Sequence, residues 1–543
     1  MRLYDQLYYN GEIYTVDERC PTAEALAVKD GRIAAVGSLE ECQTVLGKNF
    51  ETVNLENGAL LPGFIDTHLH PIIMIYFALN LTLSEVYSVA EMQRKVREAA
   101  AKEKRKPWIL GFQFDDQTLR ERRPVTRHDI DAACATRPVA LVTTDGHKVI
   151  VNTRAIEESG ITEKTADPQG GKIVREENGY PAGIFQEQAL NLIMDQAPMP
   201  ELEEIQEAAS SVFTSLAASG ITSIGAVLQT GDEGPAGKNG AFDLPLMEML
   251  LDQIPFSIYS LIIARDLAQV DAARQTGLHQ SHEGDIGPLR TIGGVKIFCD
   301  GTLQAGTAYM EQPYTNQPGN SGFLIHEPED LYQRMAEAHQ ADMQIAIHAI
   351  GDAANRTCVD LYKRLLEKYP RQDHRHRLEH ASVLNADLIA DLAKMGLVVS
   401  SQPSFLYTEN HWLQRQIGPE RCRWAYPYRS LVEAGVKLAG ASDAPICLPA
   451  VLQGLQCFVT REGFMPEQSL SAAQAVRAYT IDAAYAQFEE QIKGSLSVGK
   501  RADLVVLSAN PVRVKPEQMT EIRVRRTICG GITIFSEQDG RSA

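Results

Sequence analysis

Several apolar runs in this sequence end in side chains that bind metal ions or exchange protons. The stretch LPGFIDTHLHP, residues 61–71, is the first, because its apolar residues are followed by an acid and two histidines spaced by one residue. Similar positions recur in the runs GGVKIFCDG, IAIHAIGD, RLEHA and LAGASDAP. Imidazole and carboxylate groups are the ligands that zinc and similar divalent metal ions prefer. The side chains concerned are His68, His70, Lys296, His348, His380 and Asp443.

Each of these residues also has a structural explanation when it is taken alone. A single histidine at the end of a strand is more often a hydrogen-bonded structural residue than a ligand. Lys296 and Asp443 are harder to explain in this way, because a buried charge is costly unless it is paired or modified. The recurrence of the pattern therefore favours a metal site. Asp66 shares the parity of His68 but lies deeper in its strand, so we expect it to support the ligands.

The elements that must position these residues alternate between short apolar runs and helical segments. Residues 202–216, for example, repeat apolar residues at spacings of three and four, which predicts a helix. Such alternation is typical of βα units, and eight of them predict a (β/α)8 barrel, a fold of the α/β class. The active sites of such barrels lie where the carboxyl ends of the strands meet. The candidate strands are residues 61–68, 221–226, 256–262, 295–299, 344–348, 376–380, 398–402 and 437–443.

The two ends of the chain are rich in β-branched runs broken by turns, unlike the middle. Asn10-Gly11 and Asp30-Gly31 each predict a hairpin turn. We therefore predict one small β domain built from residues 1–59 and 488–543, with the barrel formed by residues 60–487. About 150 residues separate the first two candidate strands, far more than a plain connection. Residues 85–200 are therefore predicted to form an inserted subdomain after the first barrel strand.

Composition bounds the class of protein. The 543-residue chain has 52 basic and 70 acidic residues, a net charge of -18, which argues against binding to nucleic acid or to an anionic membrane. The first residues lack the basic and apolar regions of a signal peptide. Nine scattered cysteines without a C-x-x-C pair argue against a disulfide framework and a cysteine zinc site. The cytoplasm is the expected compartment.

Longer motifs identify a family that the chain resembles. LPGFIDTHLH, RAYTIDAA and GSLSVGKRADLVVL resemble stretches of the metal-dependent amidohydrolase superfamily, over nearly the whole chain. DGHKVIVN, GGKIVREENGYPAGIFQE, VKIFCDGTL, HAIGD and SQPS resemble its amidohydrolase family 3 branch, which includes N-substituted formamide deformylases. The resemblance implies a barrel with a β-sandwich made from both termini, and it agrees with the long insertion.

The resemblance also implies a role for each candidate ligand. His68 and His70 would bind a first, more buried metal ion with help from Asp443. Lys296, carboxylated on its side-chain nitrogen by carbon dioxide, would bridge two ions. The second ion would be bound by His348 and His380. Without carboxylation, the site would hold one Zn²⁺ or another divalent ion, with Lys296 beside it.

The implied function is hydrolysis of a non-peptide C–N bond in a linear amide or an N-substituted formamide, by attack of metal-activated hydroxide on a carbonyl carbon. Asp443 would carry the proton to the leaving amine, and His147 would hydrogen-bond the carbonyl or serve as a structural turn residue. The alternatives are a deaminase or cyclic-amide hydrolase on the same scaffold and a non-catalytic metal-binding regulator. The expected partners are a small amide-type substrate and a second copy of the chain in a homodimer.

Two features bear on the substrate. After the lysine strand this chain reads DGTLQAGTA, where the branch is expected to read roughly D-G-S-L-G-S-R-T, so no relative's substrate is transferred directly. Aromatic residues in YFAL, WILGFQF and WAYPYR suggest an apolar substituent. Arg429 could bind a substrate carboxylate, although an ion pair with a structural acid is slightly favoured.

Overall fold

A computed structural model describes residues 5–102, 107–280 and 287–537 of the chain. The outermost residues of the predicted sandwich and residues 103–106 of the predicted insertion lie outside the described residues. No helix within the described ranges combines the length and the apolar character needed to cross a lipid bilayer.

The centre of the molecule is a barrel of eight parallel strands, as the sequence predicts. The strands pair in chain order, and the last joins the first through bonds from the Asp443 N–H to the His68 carbonyl and from the His70 N–H to the Ala444 carbonyl, both 2.8 Å long. Barrel strands one to eight are Phe64–Leu69, Ile221–Gln229, Ser257–Ile263, Arg290–Phe298, Gln344–Ala349, Arg377–His380, Val398–Ser401 and Lys437–Gly440.

Helices pack outside the barrel because their apolar stripes need cover from the strands. The predicted helix near residue 202 is Leu202–Ala218, and it buries Ile205, Ala209, Phe213 and Leu216. The other helices that follow or connect barrel strands are Pro71–Ala78, Asp243–Met249, Leu267–Arg274, Pro328–Gln340, Asp352–Lys368, Ala386–Met395, Phe405–Glu409, Leu413–Ile417, Pro419–Cys422, Tyr428–Glu433, Val451–Thr460, Ala472–Ala478 and Ile481–Ala486.

A β-sandwich built from both ends of the chain stands beside the barrel, which confirms the predicted fold class. Its four-stranded sheet has the order Arg32–Gly37, Ala25–Lys29, Gln6–Tyr9 and Glu51–Asn54, with helix Leu39–Leu46 against it. Its six-stranded sheet has the order Ile532–Ser536, Val524–Cys529, Leu504–Leu507, Ala59–Pro62, Glu12–Tyr14 and Thr22–Ala23.

Two local predictions about the sandwich need correction. The turn at Asp30-Gly31 joins paired strands, but the turn at Asn10-Gly11 does not, because Gln6–Tyr9 and Glu12–Tyr14 lie in different sheets. The predicted first barrel strand is also two strands. It breaks at Gly63, where an added Cβ would come within 2.3 Å of the Thr222 side chain, so the chain crosses from sandwich to barrel at a point without room for a side chain.

The insertion after the first barrel strand has a six-stranded sheet of its own. Its strands, in sheet order, are Gly171–Arg175, Pro181–Glu187, Lys148–Val151, Val139–Thr143, Ile109–Phe114 and Leu81–Thr82. The helices Val89–Lys102, Arg127–Asp131, Thr153–Glu158 and Asn191–Met194 accompany the sheet. The insertion reaches the carboxyl ends of the barrel strands, where Gln186 bonds the Ala305 carbonyl at 2.8 Å.

Candidate active site

The residues that the sequence singles out meet at the carboxyl ends of the barrel strands. His68 lies in strand one, Lys296 in strand four, His348 in strand five and His380 at the end of strand six. His70 follows strand one, Asp443 follows strand eight, and His147 comes from the insertion. All seven side chains line one cavity of about 660 Å³.

Three of these side chains form a compact donor cluster. One ligand atom each from His68, His380 and Asp443 lies within 4.8 Å of the others, and all three residues are buried. His70 joins them through its Nε2, which is 3.2 Å from Asp443 Oδ1, while His68 Nε2 is 3.5 Å from the same oxygen. Two imidazoles and a carboxylate in this arrangement suit a divalent ion such as zinc.

His68 is held by a buried acid that the sequence interpretation missed. Its Nδ1–H donates to Glu379 Oε2, and Arg377 donates to both oxygens of Glu379. Burial opposes the charge on Glu379, but Arg377 and His68 outweigh it and hold the pKa of Glu379 well below its usual range. The remaining nitrogen, Nε2, is buried without a hydrogen-bond partner. His68 therefore presents one lone pair to the cavity.

His348 and His380 are oriented by the same kind of arrangement. His348 Nε2–H donates to the Gly301 carbonyl at 3.1 Å, which leaves its buried Nδ1 without a partner. His380 Nδ1–H donates to Gln402 Oε1 at 2.8 Å. Burial holds the pKa of His348 well below its usual range and lowers that of His380 to about 3, so both rings are neutral ligands at pH 7.

Backbone geometry brings His380 into the site. Arg377 and Glu379 share one side of strand six, so simple alternation would turn His380 away from them. A φ of 72° at His380 breaks this alternation. The ring consequently lies 4.5 Å from the ring of His348 and 5.2 Å from that of His68, measured between centroids.

Lys296 is a buried amine without a hydrogen-bond partner among the described residues. Its residue is 2% exposed, and its Nζ lies 4.7 Å from the centre of the Phe298 ring. Burial lowers the pKa of Lys296 to about 8. A metal centre suits these groups, because a bound cation would compensate the cost of removing them from water. The groups are the nitrogens of Lys296, His68 and His348, which have no hydrogen-bond partner among the described residues, and the Asp443 carboxylate.

Asp66 supports the site as the sequence predicts, and does not face the donor cluster. Its Oδ1 accepts the backbone N–H of His68 at 3.3 Å and of Ser442 at 3.0 Å. These bonds fix the strand that carries His68 to the turn that carries Asp443. Burial raises the pKa of Asp66 to about 7.

His147 approaches the metal cluster from the insertion. Its ring centroid is 5.4 Å from that of His348, and its Nδ1–H donates to Glu187 Oε2 at 2.7 Å. Burial by itself lowers the pKa of His147, but the charge and hydrogen bond of Glu187 outweigh burial and raise it to about 9. A protonated imidazole at this place can donate a hydrogen bond to a substrate oxygen.

The cavity wall above the polar floor is mainly apolar. Two of the three predicted aromatic stretches contribute to it, with the rings of Phe77 and Phe112 stacked 4.1 Å apart. The third stretch does not, because Tyr426 and Tyr428 are buried in the main core. The apolar and aromatic lining includes Ile73, Tyr76, Phe77, Trp108, Phe112, Val142, Leu190, Met194 and Phe298.

Arg429 lies away from this cavity. It is exposed and pairs with Glu433 at 2.7 Å, one helical turn further along. The structural explanation for Arg429 therefore accounts for its contacts, and no described contact links it to the candidate site.

The loop that departs from the expected family pattern contacts the insertion. The hydroxyl of Thr302 donates to Asp145, and the Gln304 amide donates to Asp115 at 3.3 Å. Gly306 has a φ of 71°, which suits glycine at that position. The unusual residues therefore join the lysine strand to the insertion.

Comparison with known proteins places the chain in a family. The model of the amidohydrolase family known as Amidohydro_3 matches residues 51–535. The chain belongs to the amidohydrolase family. It is 29% identical to an amidohydrolase named YtcJ from Bacillus subtilis, across 98% of this chain and 99% of that protein. It is 26% identical to an N-substituted formamide deformylase from Arthrobacter pascens, across 98% of each chain.

A solved structure supports the same fold. The crystal structure of an uncharacterized metal-dependent hydrolase from Pyrococcus horikoshii OT3 superposes with a TM-score of 0.72 at 23% identity, covering 94% of this chain and 99% of that one. The family model and the two relatives confirm the predicted branch. Family membership and the His–Asp cluster together support a hydrolase that works with a divalent metal ion.

Proposed function

We propose that this amidohydrolase uses zinc to hydrolyse the C–N bond of a linear amide or an N-substituted formamide. One observation carries the proposal: buried nitrogens of His68, Lys296 and His348, which have no hydrogen-bond partner in the described part of the chain, lie at the floor of a mainly apolar cavity. Such a floor suits metal-assisted chemistry, and such a wall suits an organic substituent.

The proposed ligands follow the sequence interpretation. His68, His70 and Asp443 would hold a first ion, His348 and His380 would hold a second, and Lys296, once carboxylated, would supply a further anionic ligand. Carboxylation needs the neutral amine, which the lowered pKa of Lys296 favours. When bound, a divalent ion supplies Lewis acidity, which acidifies a water molecule and polarises a carbonyl group.

Two side chains of the protein provide the proton transfer and the hydrogen bond to the carbonyl oxygen. Asp443 takes the proton of the attacking water and delivers it to the nitrogen of the leaving amine. His147 donates a hydrogen bond to the carbonyl oxygen as negative charge develops there. The C–O bond forms first, and the C–N bond then breaks as its nitrogen takes the proton from Asp443, so the products are a carboxylate, or formate, and an amine.

The lining of the cavity supports an apolar or aromatic group on the substrate. Phe77, Trp108 and Phe112 can bury a ring, whose transfer from water is favourable. The relative from Arthrobacter pascens carries a name that fits an N-substituted formamide, which places this class first in a substrate panel.

The test is hydrolysis of a panel of formamides, linear amides, cyclic amides and aminated heterocycles by the zinc-loaded protein. We expect turnover of formamides or linear amides, and about two metal ions per chain in the bridged form. Turnover only of cyclic amides or of heterocyclic amines would replace this proposal by the alternative hydrolase or deaminase. Failure of the whole panel would favour a metal-binding regulator.

Asp443→Asn tests the proposed proton transfer. We expect kcat to fall by about 100-fold or more while the protein stays folded, because the amide cannot accept the proton. Asp243→Asn is the matched control, since Asp243 is also a buried acid but does not line the cavity. Equal activity of Asp443→Asn and wild type would refute this role.

A further inference from the structure

Glu187 connects the insertion to the candidate site through His147. We propose that Glu187 is a positioning residue that fixes His147 with a proton on Nδ1 and with Nε2 facing the cavity. The kinetic consequence rests on the proposed function, whereas the arrangement of the ring does not. Glu187 ends the motif GGKIVREENGYPAGIFQE, but the sequence does not show its partner, because His147 is 40 positions away in the chain.

Glu187 holds His147 by two bonds. Its Oε2 lies 2.7 Å from His147 Nδ1, and its backbone N–H donates to the His147 carbonyl at 2.9 Å. The Glu187 side chain is only 3% exposed, and the residue ends strand Pro181–Glu187 with a φ of 50°. A carboxylate that is fixed at both backbone and side chain sets the direction of the imidazole as well as its distance.

The second oxygen of Glu187 is fixed by the barrel. The Thr307 hydroxyl donates to Oε1, and Thr307 Oγ1 in turn accepts the Thr302 N–H at 3.0 Å. A Cβ on Gly301 would lie 2.2 Å from Glu187 Oε1, so the loop after strand four packs directly on the carboxylate. The carbonyl of this same Gly301 accepts from His348.

These contacts determine which nitrogen of the His147 ring faces Glu187 and carries a proton there. A carboxylate only accepts hydrogen bonds, so the proton of His147 that faces Glu187 is on Nδ1. The other nitrogen, Nε2, then belongs to the cavity side, where the His147 and His348 rings approach within 5.4 Å. Without Glu187, the ring can rotate or flip, and fewer molecules present Nε2 to the cavity.

A spectroscopic experiment tests the arrangement without any substrate. The full-length zinc-loaded protein is labelled with 15N-histidine, and His147→Gln assigns the His147 signals. We expect the wild-type spectrum to show a proton on Nδ1 of His147, and Glu187→Leu to lose the signal of this hydrogen-bonded proton in part or in full. Glu187→Gln, which keeps the shape, should lie between them. A wild-type ring without a proton on Nδ1, or unchanged signals in Glu187→Leu, would overturn the proposal.

Measurements of kcat and KM then test whether Glu187 affects the chemical step. On the best substrate of the panel, we expect Glu187→Leu to lower kcat by about 10- to 100-fold, the size of effect seen when a functional histidine loses its carboxylate partner. KM and metal content should stay within about threefold, because uniform binding is untouched. Asp243→Asn, which changes a buried acid that does not line the cavity, is the control and should keep wild-type kcat.

The outcomes distinguish the two proposals. If the wild type turns over a substrate and Glu187→Leu matches its kcat, the positioning role is wrong and the proposed function stands. If the wild type turns over nothing, the proposed function fails. The 15N-histidine spectra still decide whether Glu187 fixes the orientation of the His147 ring.

Discussion

Each histidine on the barrel strands of the candidate site uses one nitrogen for a protein partner and keeps the other for the cavity. His68 donates to Glu379, His348 to the Gly301 carbonyl and His380 to Gln402. An acceptor on one side of an imidazole determines which nitrogen carries the lone pair on the other side. Ligand direction is therefore set before any ion binds, and little ordering remains to be done on binding.

Glu379→Gln should weaken metal binding. The amide keeps the shape of the side chain but removes the charge that supports His68 and neutralises Arg377. We expect the dissociation constant for zinc to rise about 10- to 100-fold, as measured by competition with a chromogenic chelator. Asp243→Asn is again the control for loss of a buried acid. A folded Glu379→Gln protein with wild-type zinc affinity would count against this role.

For single residues, the sequence predicts which side chains are candidate metal ligands, but not which neighbouring residues orient them. His68, His348 and His380 are recognisable because each ends or nearly ends an apolar run. Glu379 is not recognisable as a supporting residue, since RLEH resembles a strand with a local ion pair between Arg and Glu. Its partner His68 is 311 positions away in the chain. Gln402 is similarly hidden, because an amide after a strand has many structural uses. Supporting residues are defined by contacts across the barrel, which local patterns do not contain.

Among elements, the strands are predicted well where burial is complete on both sides. Parallel barrel strands are continuous apolar runs, so all eight are found within a few residues of their true ends. The sandwich is harder, because its strands are short and half-buried. The Asn10-Gly11 turn carries a strong local hairpin signal, yet its two strands pair with other partners. Packing of the two sheets outweighs that local preference.

Strands one and two approach each other more closely than ordinary neighbours at Gly225. A Cβ on Gly225 would lie 2.0 Å from the Thr67 carbonyl oxygen, where the pairing register of the two strands shifts. Gly225→Ala should therefore push strand one away and displace His68. We expect a loss of about 1–3 kcal/mol in unfolding free energy together with weaker zinc binding.

Thermal unfolding and zinc content measure both effects of Gly225→Ala. Gly287→Ala is the matched control, because a Cβ there meets no heavy atom of the described residues within 4 Å. Its stability should stay within about 0.5 kcal/mol of wild type. Equal zinc content in both variants would show that strand one tolerates the displacement.

For the whole molecule, buried acids away from the site govern how stability responds to pH. Asp243 is 4% exposed; its Oδ2 accepts the Gln229 N–H at 2.9 Å, and its Oδ1 has no hydrogen-bond partner. Burial raises the pKa of Asp243 to about 8. The folded protein therefore binds this proton more tightly than the unfolded chain does, whose aspartates titrate near pH 4.

Asp243→Asn should become more stabilising, relative to wild type, as pH rises from 5 to 9. Between the unfolded and folded pKa values the unfolded state binds fewer protons, so the Asp243 contribution to stability falls with increasing pH. The asparagine removes this loss and keeps an acceptor for Gln229. Each unit of the shift corresponds to about 1.4 kcal/mol at most. Melting temperatures of the wild type and of Asp243→Asn, measured from pH 5 to 9, would check this expectation. Parallel curves for the two proteins would contradict it.

The pairing of Ala59–Pro62 with Leu504–Leu507 has a consequence for how the protein is made. A ribosome releases Pro62 and the first barrel strand early, yet the partner strand follows only after the rest of the barrel has been translated. At typical elongation rates this wait lasts tens of seconds, during which the open strand edge is exposed to other nascent chains. Completion of the β-sandwich therefore belongs to the last moments of synthesis, and cellular chaperones have a defined interval in which to act.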